Sequence, residues 1–163
     1  MPFMKTILIA LDYDSMAPKI AEKGYALAKA MNARTILLHV VADPAYYASI
    51  NYSPIFGFGG FSEVMETDTT EELKDLAKDY LDRFKQHLGD DMIELVIKTG
   101  DFGEGILQTA KELKVDTIVM GTHSRKGLEK MLLGSVAEKV LHHSSIPLFI
   151  IPMRGLDKGE NLS

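Results

Sequence analysis

The stretch Asp116–Glu138, DTIVMGTHSRKGLEKMLLGSVAE, decides how this chain is read. Its first five residues, Asp116-Thr-Ile-Val-Met120, are short and apolar enough for a β-strand covered on both faces. Gly121 follows, then a basic run holding Ser124, Arg125, Lys126 and Lys130, and Gly134-Ser135 open a helical pattern. Glycine lets a backbone approach a ligand closely, and a helix N-terminus points unpaired N–H groups at anions. A strand, a glycine-bearing loop and a helix start in that order predict a phosphate cradle.

Working outward, apolar runs of strand length alternate with segments of helical periodicity. Thr6–Ala10 and Thr35–Val41 are near-continuously apolar, as doubly covered strands should be. Met92–Lys98 alternates more and suits a strand nearer an edge. Leu148–Ile151 is bracketed by Pro147 and Pro152, which places it at the sheet's margin. Ser15 is expected to cap the first helix, whose inner face is Ile20, Gly24, Leu27 and Met31. Thr69-x-x-Glu72, Asp101-x-x-Glu104 and Ser135-x-x-Glu138 read as capping boxes opening three further helices. The order β-α-β-α-β-α-β-α-β predicts an α/β domain with a parallel, doubly wound sheet and helices on both faces. Asp43–Glu66 is long for a connection and rich in aromatics and glycine. It reads as a surface loop covering the core's edge, with a ligand flap or docking surface as the alternative.

At 163 residues the chain is expected to form one domain, 1–152, followed by a polar tail, 153–163. A net charge of −5 argues against broad nucleic-acid binding, which needs a basic face. The absence of cysteine excludes disulfides and thiolate metal sites. No apolar run approaches membrane-spanning length, and the chain enters its first strand without a signal peptide, with Met4 as an alternative start. A cytoplasmic location without membrane association is the expectation.

If the first strand is central, the loops after Ala10 and Met120 flank the crevice where open α/β sheets bind ligands. Asp12 is then placed either to accept hydrogen bonds from ribose hydroxyls or merely to shape the turn. Asp14 reads as a turn and helix-dipole residue. There is no Walker A loop and no completed dinucleotide fingerprint. The five histidines show no metal-ligand spacing with acidic partners, so no protein-held metal is expected, and His39 reads as a core residue. No nucleophile–base pair is legible, so no catalytic residue is assigned and an enzyme is not the expectation.

Ala10-Leu11-Asp12, Leu38-His39-Val40, Met120-Gly-Thr-His123, Leu132-Leu-Gly-Ser-Val-Ala-Glu-Lys-Val140 and Ile146–Ile151 together resemble the universal stress proteins over nearly the whole chain. The family motif is Gly-x2-Gly-x9-Gly-Ser/Thr. The resemblance implies a five-stranded parallel sheet of order 3-2-1-4-5 and a homodimer through the last strand, Leu148–Ile151. It implies ATP, or ADP or AMP, bound with Mg²⁺ or Mn²⁺: Asp12 on the ribose, Ala10, Leu11 and Val40 beside the adenine, and Gly121, Ser124, Gly134, Ser135 and Val136 at the phosphates. Met120 and Arg125 complete the candidate set. Two positions depart from the pattern. Ser124 stands at the motif's second glycine, and Ala10 replaces the proline common in ATP-binding members. The expected role is a dimeric stress-response sensor or regulator that signals to an unidentified protein. Two alternatives remain: a dimeric scaffold that binds no nucleotide, and a slow ATPase or self-phosphorylating protein with Ser124 or Ser135 as acceptor.

Overall fold

The computed structural model describes residues 5–49, 69–122 and 133–153, so Ser124, Arg125 and most of the aromatic segment lie outside the described residues. Five strands are present: β1 (Thr6–Ala10), β2 (Arg34–Val41), β3 (Glu94–Thr99), β4 (Thr117–Gly121) and β5 (Leu148–Ile151). They form one sheet, ordered β3-β2-β1-β4-β5, in which every pairing is parallel. The expected topology is therefore present, and the two strands read as marginal, β3 and β5, are its edges.

Because side chains alternate across a strand, the sheet builds two cores. Ile7, Ile9, Leu37 and Val119 face α1 (Ala17–Ala30), and the same layer takes Leu73, Ala77, Tyr80, Leu81 and Phe84 from the long helix Thr70–Leu88. Leu8, Ile36, Leu38, Val40, Ile118 and Met120 face the helices Phe102–Glu112 and Ser135–His143. A short helix, α2 (Pro44–Ser49), follows β2, and in chain order the remaining described helices are α3 (Thr70–Leu88), α4 (Phe102–Glu112) and α5 (Ser135–His143). Gly24 lets α1 approach the sheet closely, since a Cβ there would lie 2.8 Å from Ile9 Cδ1.

The capping signals divide in two. Thr69 and Asp101 act as expected, each accepting the backbone N–H three residues on, from Glu72 and Glu104. Ser15 does not cap α1. Met16 holds the N-cap position, while Asp14 accepts the Met16 N–H at 2.7 Å. Ser135 is not a cap either, because Gly134 occupies that position at φ −63° and ψ 161°, which places Ser135 inside the helix. The segment after β2 begins as helix rather than loop: Asp43 accepts the Ala45 N–H at 2.8 Å and Pro44 starts α2 with its φ already set. Leu141, an apolar residue of α5, is half exposed. Met153, placed at the head of the tail by sequence, is buried in the first core, and its N–H donates to Thr122 Oγ1 at 3.0 Å.

Candidate functional site

β1 lies between β2 and β4, so the chain's path reverses on either side of it. Crevices of α/β sheets open at such a switch point, beyond the carboxyl ends of the strands. A cleft of about 680 Å³, open solvent included, lies there. It brings together Ala10, Leu11, Asp12, Val40, Met120, Gly121 and Val136. These candidates come from sequence positions more than a hundred residues apart, and their convergence follows from the strand order alone.

The walls are mostly aliphatic, with Asp12 and Asp14 as the acidic groups at the rim. Asp12 Oδ1 accepts the Tyr13 N–H at 2.8 Å, which turns the carboxylate back over its own loop. Asp14 lines the cleft as well, although its side chain shapes the entry to α1. Gly134 and Ser135 are not wall residues. They form the first turn of α5 immediately before Val136 and Ala137, which are. With glycine as N-cap, no side chain among the described residues caps the first amides of α5, and these amides have no intrahelical partners.

Gly121 requires a second reading. A Cβ there would come within 2.8 Å of Ile20 Cδ1 and 2.9 Å of Met153 Sδ. The absent side chain thus admits two apolar neighbours at the base of the cleft, apart from any approach to a phosphate.

Sequence reasoning missed several wall residues. Phe102 lines the cleft and meets Tyr46 edge-on, with ring centroids 5.4 Å apart. Ile106 of α4 and Met153, at the head of the polar tail, also line the cleft and carried no signal as site residues. Ile20, one turn into α1, was visible as part of an apolar stripe but not as a site residue.

Beneath the Asp12 loop lies a buried group of three rings, Tyr13, His39 and Tyr80. His39 Nδ1 is 2.7 Å from the Leu11 carbonyl, and Tyr80 donates its hydroxyl to the Asp12 carbonyl at 2.8 Å. A carbonyl only accepts, so Nδ1 carries the imidazole proton. Nε2 is then a lone-pair acceptor with no hydrogen-bond partner among the described residues. Burial lowers the His39 pKa below the ordinary 6.5, against the opposing pull of Asp12 and the Leu11 carbonyl. Burial, reinforced by the Asp12 charge, raises Tyr80 well above 10, so its hydroxyl remains a donor.

A model of the universal stress protein family matches residues 4–152. The chain belongs to the universal stress protein family. Among its relatives, universal stress protein MJ0577 of Methanocaldococcus jannaschii is 31% identical, over 90% of this chain and 94% of its own. Universal stress protein Sll1388 of Synechocystis is 28% identical, over 89% of this chain and 96% of its own. The solved structure of MJ0577 superposes with a TM-score of 0.66 at 27% identity, covering 93% of this chain and 97% of that one. A universal stress protein in complex with cAMP superposes with a TM-score of 0.59 at 19% identity, covering 91% and 97%. At that identity the second likeness speaks to the fold alone.

Among the described residues, no three acidic or histidine side chains gather where a metal would be held. Nor is any described helix long and apolar enough to cross a membrane.

Proposed function

We propose that this universal stress protein binds an adenine nucleotide, ATP with ADP and AMP as related ligands, in the cleft between the ends of β1 and β4. The observation that carries the reading is the convergence of an aliphatic slot, one loop carboxylate and a helix N-terminus without a side-chain cap. Each part suits one part of the ligand. Ala10, Leu11, Val40 and Met120 offer an apolar slot for a base, and Asp12 offers an acceptor for a ribose hydroxyl. The α5 amides at Ser135 and Val136, with Gly121, Ser124, Gly134 and Arg125 in the motif, are the phosphate end.

Mg²⁺ or Mn²⁺ would arrive with the phosphates, since such ions are commonly held by phosphate oxygens with few protein ligands. The function is binding, in a homodimer joined through β5, with occupancy read by a protein partner during stress. Such signalling requires the nucleotide to favour one conformation over another.

Calorimetric titration of the full chain with ATP and Mg²⁺ tests the reading, with Asp12→Ala as the control. Saturable heat in the wild type that weakens by about tenfold in the variant is the expected outcome, the size of one lost charge-assisted hydrogen bond. No heat at millimolar ATP sinks nucleotide binding and leaves the dimeric scaffold. Radiolabel transferred from γ-labelled ATP to the wild type, and lost in Ser124→Ala with Ser135→Ala, would instead establish self-phosphorylation.

A further inference from the structure

Asp12 lies two residues past the last residue of β1, where the sheet's ladder no longer holds the backbone. The Leu11 N–H still reaches the Leu38 carbonyl at 2.9 Å, but the carbonyls of Leu11 and Asp12 point to side chains instead. His39, from β2, takes the first, and Tyr80, from α3, takes the second. The Asp12 carbonyl also accepts the Asp14 N–H at 3.0 Å. Both peptide groups flanking the Asp12 α-carbon are therefore fixed from below, and the Tyr13 N–H fixes its carboxylate at 2.8 Å.

From this geometry we propose that Tyr80 and His39 are positioning residues that set the Asp12 carboxylate for a ribose hydroxyl. The proposal rests on the nucleotide reading above and assigns these two residues a part in it. Neither residue lines the cleft, and at 4% and 1% exposure neither can touch a ligand there. They act through the loop. Their own rings are immobilised by packing: Tyr13 lies 4.4 Å from His39 and 4.8 Å from Tyr80, and Phe84 meets Tyr80 edge-on at 4.9 Å. A carboxylate held this way has no loop entropy left to lose when a hydroxyl binds, so its contribution to affinity is larger than that of a mobile one.

A purely structural pair of residues would affect all ligands alike. A positioning pair affects only ligands that carry the hydroxyl. The experiment is calorimetry on the full chain and on Tyr80→Phe, each titrated with ATP and with 2′,3′-dideoxy-ATP. Tyr80→Phe keeps the ring and removes only the hydroxyl. It is expected to weaken ATP by about five- to tenfold, the worth of one hydrogen bond, and to leave the dideoxy affinity unchanged. His39→Asn, whose amide nitrogen stands near the place of Nδ1, is expected to retain most of the ATP affinity, whereas His39→Leu is expected to lose it selectively. Equal losses for both ligands in Tyr80→Phe, or no loss for either, overturn the positioning role while the nucleotide reading stands. A wild type that binds neither ligand overturns that reading and the positioning role together.

Discussion

His39 is a base kept away from water, and that has a cost in acid. Its folded pKa is lowered, chiefly by burial, below the 6.5 of an exposed imidazole. Above that value the folded and unfolded chains are both neutral here, and pH does not matter to this residue. Below it the unfolded chain takes up a proton that the folded chain refuses, so stability falls as pH drops toward the folded pKa. His39→Asn cannot titrate. Urea midpoints measured between about pH 7 and about pH 5 are expected to fall more steeply for the wild type than for His39→Asn. Asp90, Asp101 and Glu112 carry lowered pKa values, through hydrogen bonds from Tyr25, Lys139 and Lys98 first. Their stabilisation is present above the ordinary carboxylate range and is lost below about pH 4, outside this window and common to both chains. Parallel slopes would mean that water reaches the His39 ring.

Gly24 makes a second prediction at this scale. A methyl there gains about 1 kcal/mol of helix propensity but presses on Ile9 at 2.8 Å and on Val119 Cγ1 at 3.1 Å, both in the packed core. Gly24→Ala is expected to destabilise by about 1–2 kcal/mol in urea titration, overpacking outweighing propensity. A gain in stability would show that α1 moves off the sheet at little cost.

Among the elements, Asp101 carries two roles that substitution separates. It caps α4 by accepting the Glu104 N–H, and it accepts the Lys139 ammonium of α5 at 2.9 Å. Asp101→Ala loses both, with about 1 kcal/mol expected for the cap. Asp101→Asn keeps the cap and loses the charge. Because the ion pair is well exposed, Asp101→Asn is expected to lie close to wild type, and the small gap should close in high salt. Urea titration of both variants at low and high salt measures this. The same cap shows what the sequence makes legible. Thr69 and Asp101 stand in extended backbone just before their helices, so residue type and spacing were enough. Ser135 has the same spacing and Ser15 stands just before its helical pattern, but the caps lie one residue to either side, on Met16 and Gly134. Periodicity locates a helix without fixing the dihedral angles at which it starts. Strands were more legible because burial on both faces leaves a continuous apolar run. The clamp on Asp12 was not legible at all, since Leu11, His39 and Tyr80 meet only once strand order and the packing of α3 on the sheet are known.

For the whole molecule, the proposed assembly rests on the β5 edge. Pro147 and Ile151 give their carbonyls to the N–H groups of Ile118 on β4 and of Thr122 just past its end. In a parallel strand alternate residues face opposite neighbours, so Leu148 and Ile150 turn their backbone groups away from β4. Phe149 is 41% exposed on the same strand. A bare edge with an exposed aromatic side chain is a template for pairing unless something covers it, and the proposed homodimer covers it with a second copy. Lysine on an edge strand opposes such pairing by bringing like charges together across the two-fold axis. Phe149→Lys is therefore expected to sediment as a monomer while the wild type sediments as a dimer, with unchanged far-ultraviolet circular dichroism. Phe149 is absent from the walls of the cleft, so the monomeric variant is also expected to keep the wild-type affinity for ATP. A wild type that sediments as a monomer, or a variant that remains dimeric, removes β5 as the interface. Loss of ATP affinity in the monomer would instead tie the cleft to the dimer, through the short path from β5 to Met153, Thr122 and Gly121.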